Sequence, residues 1–123
     1  MYEYKVKSVD HIVDGDTLDV TVDLGFNITH KIRVRLEGID TPESRTKDLE
    51  EKARGLESKA YFTKIVTKWV EDDMLYVKTT KKGKYGRYLG IILREREDDD
   101  ERLNINERLV NEGFAVEYFG GKR

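Results

Sequence analysis

Two short acidic clusters in this sequence of 123 residues carry side chains suited to binding a metal ion. Asp14 and Asp16 flank a glycine, and Asp40 is followed three residues later by Glu43. Carboxylate oxygens are the ligands that hard divalent cations prefer, and a further carboxylate close by can accept a proton from water. The two clusters therefore predict a metal site next to a general base.

Both clusters also have a purely structural interpretation. Asp-Gly-Asp is typical of the tight turn of a hairpin, because glycine and aspartate favour turn conformations. In the second cluster, Thr41 can be the N-cap of a helix whose first residue is Pro42. Taken alone, neither cluster decides between the structural and the chemical interpretation.

Hydrolysis of a phosphodiester also needs fixed cations that bind the phosphate oxygens. Arg35 and Arg87 are candidates, because the planar guanidinium binds phosphate through two hydrogen bonds at once. The stretch 78–87 contains five cations and no acid, a charge density that suits a nucleic acid backbone. Arg35 lies on the same strand face as Lys31 and Arg33, so the alternative interpretation for Arg35 is a solvated strand face. The alternative for Arg87 is a hairpin tip.

Three sequence strings carry a resemblance to a known family. VDGDT, RLEGIDTPE and KYGR occur in this order and are followed by NERLVNEGFA. Together they resemble the staphylococcal (micrococcal) nuclease, or thermonuclease, family. The resemblance implies an α+β, mainly β fold: a five-stranded, antiparallel OB-type barrel with about two packed helices. It also implies a calcium-dependent endonuclease that cleaves DNA and RNA and leaves 3′-phosphate ends.

The resemblance assigns roles to nine residues. Those that would bind calcium are Asp16, Asp40 and Thr41, the last through its backbone carbonyl. Those that would act in catalysis are Arg35, Glu43 as the general base, and Arg87. Those that would contact the terminal phosphate of a nucleotide are Lys84 and Tyr85. Asp14 would support the metal ligands from a second layer.

Alternation of apolar and polar residues predicts the strands that position these groups. Residues 5–13, 18–24 and 32–36 form three strands joined by turns at 14–16 and 25–27. A second hairpin covers residues 75–79 and 88–93. Five strands of this kind, packed with helices, can close into a small barrel of the OB type.

Helical periodicity predicts two helices. The first carries an apolar stripe that would face the core, made of Leu49, Ala53, Leu56, Ala60, Phe62, Ile65, Val66 and Trp69. The second is short: Asn104 is its N-cap, and Gly113 is its left-handed C-terminal cap.

Composition indicates a single domain over residues 1–123 and excludes several classes of protein. The absence of cysteine excludes disulfide scaffolds, zinc fingers and thiol nucleophiles. Net charge is −2, but the run Glu95–Glu101 alone carries −5, so the rest of the chain is mildly basic. With no apolar segment that would span a bilayer and no signal peptide, we expect a cytoplasmic monomer, of plasmid or phage origin, that acts on single-stranded or locally melted DNA and RNA.

Two rival functions belong to different classes. A catalytically silent OB-type module, as in the related repeats of Tudor-containing nuclease homologues, would bind nucleic acid without cleaving it. Those repeats typically lose the carboxylates or the arginines, and both are retained here. A calcium-binding structural domain would not require Arg35 and Arg87 together.

Overall fold

The computed structural model describes residues 2–82, 87–94 and 103–118. Lys84, Tyr85 and the acidic run 95–101 lie outside these ranges. The strands are β1 (Tyr2–Asp14), β2 (Thr17–Asp23), β3 (Thr29–Leu36), β4 (Ile39–Asp40), β5 (Leu75–Lys82), β6 (Arg87–Arg94), β7 (Leu103–Asn104) and β8 (Val116–Glu117). The helices are α1 (Leu49–Glu71) and α2 (Ile105–Asn111).

Five strands form a closed barrel, which confirms the predicted OB-type fold with two helices. They pair in the order β3-β2-β1-β5-β6, and β6 returns to pair with β3. Four of these pairs are antiparallel, whereas β3 and β6 are parallel. Strand directions cannot alternate around a closed ring with an odd number of members. A five-stranded barrel therefore needs at least one parallel pair, which the sequence prediction of an antiparallel barrel did not include.

The barrel interior is filled by the apolar residues that alternate along the strands, as predicted. Leu18, Val20 and Val22 of β2 and Val34 and Leu36 of β3 are all buried. Because neighbouring side chains in a strand point to opposite faces, the arginines at positions 33 and 35 point away from this core. The same alternation that builds the core therefore presents the cations of β3 on the outer surface.

The predicted apolar stripe of α1 is correct in its C-terminal half and wrong in its N-terminal half. Phe62, Ile65, Val66 and Trp69 belong to the core cluster, but Leu49 is 79% exposed and Leu56 is 48% exposed. The buried residues of the N-terminal half are Gly55 and Ser58. Gly55 faces the backbone of Glu43 and Ser44 in the loop that follows β4. Ser58 lies next to Gly15 and donates a hydrogen bond to the carbonyl oxygen of Phe114 (2.8 Å). Leucine at either position would not permit so close an approach.

The alternative interpretation of Thr41 and Pro42 as a helix start is wrong. Helix α1 begins at Leu49, and its N-cap is Asp48, whose carboxylate accepts hydrogen bonds from the backbone N–H groups of Glu50 and Glu51. Thr41 and Pro42 instead begin the loop that precedes this helix. In contrast, α2 has the predicted N-cap, Asn104, which accepts from Glu107 N. No helix in the described ranges is long and apolar enough to cross a membrane.

A buried amide ties α2 to the barrel. Asn106 donates hydrogen bonds to the carbonyl oxygens of Glu37 (2.9 Å) and Gly90 (3.1 Å), and its own oxygen accepts from Ile92 N (3.3 Å). The turn between β3 and β4, strand β6 and helix α2 thus share one hydrogen-bonded residue. This network fixes the turn that leads from Arg35 to Asp40.

Candidate active site

A cleft of about 360 Å³ opens where β1, β2, β3 and β6 meet the loop after β4. Seven of the nine predicted site residues lie in the described ranges, and all seven line this cleft: Asp14, Asp16, Arg35, Asp40, Thr41, Glu43 and Arg87. The other two, Lys84 and Tyr85, lie outside the described residues. The fold thus brings together residues that are more than 70 positions apart in sequence.

Arg35 occupies the centre of the acidic half of the cleft. Its Nη2 donates to Asp40 Oδ1 (3.2 Å), and its Nη1 lies 3.4 Å from Asp16 Oδ2. Nη1 also donates to the carbonyl oxygens of Leu36 (3.0 Å) and Ile39 (2.8 Å). The guanidinium therefore lies between two carboxylates from different strand ends, and two backbone carbonyls fix its orientation.

Asp16 is buried and fully engaged in hydrogen bonds at the start of β2. Only 7% of the residue is exposed, and its Oδ2 accepts from the backbone N–H of Thr41 (3.2 Å). Its Oδ1 accepts from the hydroxyl of Thr17 (3.0 Å). These contacts hold the carboxylate against the Asp40–Thr41 backbone, which is what a site shared between the two clusters requires.

Asp14 connects the first turn to the loop after β4. Its Oδ1 accepts hydrogen bonds from Gly15 N (3.0 Å) and from the hydroxyl of the buried Ser44 (2.8 Å). Ser44 follows Glu43 directly, so this bond restrains the backbone that carries Glu43. Asp14 was predicted to support the metal ligands. Its hydrogen bond with Ser44 instead supports the loop after β4.

Two glycines allow the site to close, and sequence reasoning missed the role of one of them. A Cβ atom on Gly55 would lie 2.4 Å from the carbonyl carbon and oxygen of Glu43 and 2.6 Å from Ser44 N. A Cβ atom on Gly15 would lie 3.0 Å from Thr41 Oγ1. The detectable signal was a glycine inside a helical pattern, which often marks a close backbone approach. Gly55 therefore lets α1 lie directly against the backbone of Glu43.

The basic half of the cleft is formed by β3 and the start of β6. The parallel register places Arg87 opposite Arg33, two residues from Arg35. Arg33 donates to both carboxylate oxygens of Asp19, at 2.7 and 3.0 Å. This hydrogen-bonded pairing lowers the pKa of Asp19 below its ordinary value of 3.8 and raises the pKa of Arg33.

Arg33 and Arg45 also line the cleft, and neither was predicted to belong to it. A solvated strand face was the alternative interpretation for Arg35, which shares that face with Arg33; in the structure this outer face of β3 borders the cleft. Arg45 lies in the loop after β4 and is exposed. No pattern in the sequence distinguishes it from other surface cations.

The donor chemistry of the acidic half fits a hard cation. Asp16, Asp40 and the backbone of Thr41 supply only oxygen ligands, and oxygen is the donor atom that calcium prefers. Within the described ranges, no three His, Cys, Asp or Glu side chains gather closely enough to hold a metal ion. A cation here would therefore take two carboxylates from the protein and complete its shell with carbonyl oxygens and water. Among the described residues, the hydroxyl oxygen of Thr41 is buried and has no hydrogen-bond partner.

Comparison with known proteins identifies related sequences. Residues 33–123 match the family described as staphylococcal nuclease homologue. An uncharacterized protein of Bacillus anthracis is 30% identical over 122 residues, which cover 94% of this chain and 51% of that protein. Protein ParB of Escherichia coli is 30% identical over 113 residues, which cover 89% of this chain and 55% of ParB. The chain thus spans about half the length of each of these relatives.

Proposed function

The chain belongs to the staphylococcal nuclease homologue family, and from this premise we propose that it is a calcium-dependent nuclease that hydrolyses phosphodiester bonds of DNA and RNA. The observation that carries the proposal is the composition of this cleft. It combines four acidic residues, two of them near one guanidinium, with four arginines. A negatively charged phosphate and a divalent cation would each find complementary charge there.

Asp16, Asp40 and the backbone carbonyl of Thr41 would hold the calcium ion. When bound, calcium supplies positive charge that offsets the charge accumulating on the phosphate oxygens during the reaction. Mixed ligation by carboxylates, a carbonyl and water suits calcium better than magnesium, which requires near-ideal octahedral geometry. We therefore propose that magnesium supports the reaction poorly.

Glu43 acts as the general base in this proposal. It accepts a proton from a water molecule while the water oxygen attacks phosphorus and forms a new P–O bond. The bond from phosphorus to the 5′ oxygen breaks, and that oxygen takes a proton from solvent. The products are a 3′-phosphate and a 5′-hydroxyl. The backbone contact with Gly55 and the hydrogen bond from Ser44 to Asp14 hold the base in place.

Arg35, which lies between the two carboxylates, and Arg87, in the basic half of the cleft, bind the phosphate. Each guanidinium can donate two parallel hydrogen bonds to phosphate oxygens, which lysine cannot do. Because Arg35 is already oriented by two backbone carbonyls, little reorganisation accompanies the reaction. Preorganised donors of this kind stabilise charge that develops in the transition state.

One cleavage assay separates this proposal from the silent binding module. A labelled single-stranded DNA is incubated with the protein in calcium, in magnesium or in chelator, and the products are resolved on a gel before and after treatment with a 3′-phosphatase. We expect abundant products with calcium, few with magnesium and none with chelator, and a mobility change after the phosphatase. A protein that retards the DNA on a native gel but leaves it intact in calcium would overturn the proposal in favour of the binding module.

A further inference from the structure

The tip of the hairpin between β2 and β3 presents three large apolar side chains to solvent. Phe26 is 97% exposed, Ile28 is 55% exposed and Leu24 is 43% exposed. The tip is nevertheless held by hydrogen bonds from Leu24 N to Ile28 O and from Ile28 N to Gly25 O, both 2.9 Å. Asp23 caps the turn by accepting from Gly25 N at 2.8 Å. The apolar side chains are thus displayed on a fixed turn.

The backbone of Phe26 is in an unfavourable conformation. Its φ is 56°, between a glycine at 84° and Asn27 at 62°. A left-handed conformation is costly for a bulky residue and is ordinarily taken by glycine, asparagine or aspartate. Phe26 gains no burial in return, since almost all of it is exposed. No contact with the described part of the fold compensates for this backbone strain. The strain therefore indicates that Phe26 contacts another molecule.

Strand β3 connects this tip to the cleft by a row of cations. Lys31, Arg33 and Arg35 are spaced two residues apart, so their side chains leave the same face at intervals of roughly 6–7 Å. Arg33 forms a salt bridge with Asp19, and Lys31 is exposed to solvent. From Arg35 to Thr29 at the base of the tip, the strand spans roughly 20 Å. A polyanion bound in the cleft would therefore meet Lys31 on its way to Phe26.

We propose that this hairpin tip binds single-stranded nucleic acid, with a base stacked on the Phe26 ring and a neighbouring phosphate near Lys31. The proposal rests on the proposed function for the substrate in the cleft. Stacking on exposed aromatic rings next to a positively charged groove is how proteins bind single strands without sequence preference. Three side chains at one tip are too few for a stable protein interface, which buries roughly 800 Å² on each partner.

The geometry makes the contact dependent on substrate length. A strand of about 16 nucleotides more than covers this distance of roughly 20 Å, even at the ~3.4 Å per nucleotide of a stacked duplex strand. An extended single strand covers more distance per nucleotide, so only a very short one, such as a dinucleotide bound in the cleft, would stop short of the tip. The hairpin contact should therefore affect the binding of long strands only.

The test compares thymidylate strands of about two and about 16 nucleotides, in chelator so that no cleavage occurs, by fluorescence anisotropy. We expect Phe26→Ala to weaken binding of the long strand about 5- to 150-fold, the factor that corresponds to stacking of one base, and to leave binding of the short strand unchanged. Leu49→Ala is the matched control, because it removes another large, mostly exposed apolar side chain, this one on α1. Phe26→Gly suits the left-handed backbone and should reproduce the loss with the fold intact.

Several outcomes would overturn the proposal. An equal effect of Phe26→Ala on both lengths, no effect on either, or the same effect from Leu49→Ala would exclude a hairpin contact with the strand. Loss of binding to vesicles of phosphatidylserine and phosphatidylcholine, with DNA affinity unchanged, would assign the tip to a membrane. Cleavage of the short strand by wild type in calcium tests the proposed function separately, so either proposal can fail alone.

Discussion

Arg35 makes contacts that couple the two halves of the cleft. Its guanidinium lies within 3.4 Å of oxygens from both Asp16 and Asp40, the two carboxylates proposed to hold calcium. A cation at these carboxylates would weaken their attraction for Arg35 and leave its donors available for phosphate. Occupation of the acidic half and binding of phosphate at Arg35 should therefore favour each other.

The first prediction concerns the metal ligands. We expect Asp40→Asn to lower calcium affinity at least about tenfold, because one of only two protein carboxylates is lost. Isothermal titration calorimetry measures the affinity, and circular dichroism checks the fold. Asp73→Asn is the control, since Asp73 pairs with Lys5 outside the cleft. Unchanged calcium affinity in Asp40→Asn would remove this residue from the metal site.

The second prediction concerns the base. If Glu43 acts only in the transition state, Glu43→Gln should lower the single-turnover rate by about 10² to 10⁴ and leave calcium and DNA affinities near those of wild type. Glu57→Gln, an exposed substitution on α1, should be fully active. Full activity of Glu43→Gln on single-stranded DNA in calcium would contradict the assignment of the base.

The third prediction concerns the two phosphate-binding arginines. Lysine keeps the charge but not the planar fork, so Arg35→Lys and Arg87→Lys should each lower the rate by roughly 10² to 10³. The double variant should lose less than the product of the single losses, because residues that hold one phosphate act as a unit. Strictly multiplicative losses in single-turnover kinetics would indicate that the two arginines act at separate sites.

At the scale of elements, the packing of α1 explains both a success and a failure of sequence reasoning. Periodicity identified the helix and its buried residues from Phe62 to Trp69, because that half packs on the apolar barrel. It failed for Leu49 and Leu56, because the other half packs on backbone: Gly55 on Glu43 and Ser44, and Ser58 on Gly15 and Phe114. Hydrophobic periodicity predicts a helix face only where the opposing surface is apolar.

The fourth prediction follows from this packing. Gly55→Ala places a methyl group 2.4 Å from the Glu43 carbonyl, so either the helix or the loop must move. We expect a loss of about 1–3 kcal/mol in the free energy of unfolding and a lower rate with little change in calcium affinity. Chemical denaturation and single-turnover kinetics on the same samples measure the two effects.

Gly113→Ala separates positioning from stability. Gly113 has φ 84° and no atom within 4 Å of an added Cβ, so alanine there should destabilise the protein by about 1 kcal/mol through backbone strain without slowing cleavage. If Gly113→Ala slows cleavage as much as Gly55→Ala does, the effect of Gly55 reflects stability and not the position of Glu43.

At the scale of the whole molecule, barrel closure assembles the site from distant segments. The strands and the acidic clusters were predictable from alternation and from three sequence strings, and these local signals also identified seven of the eleven residues that line the cleft. The parallel pairing of β3 with β6, which places Arg87 beside Arg33, depends on how the ring closes. Strands β4, β7 and β8 are two residues long, too short for any periodicity to detect.

The last prediction concerns the distribution of charge along the chain. The run Glu95–Glu101 carries a net charge of −5 between β6 and β7 in sequence, outside the described residues, while the remainder of the chain is mildly basic. The acidic run repels a nucleic acid over a Debye length of ~30 Å at 0.01 M salt but only ~8 Å at 0.15 M. Replacing its six acids by Asn and Gln should therefore tighten DNA binding several-fold at low salt and have little effect at 0.15 M. The cleavage rate at saturating DNA should stay unchanged. Weaker binding after this replacement, measured by anisotropy across the salt range, would mean that the run makes a favourable contact with the nucleic acid or with the fold.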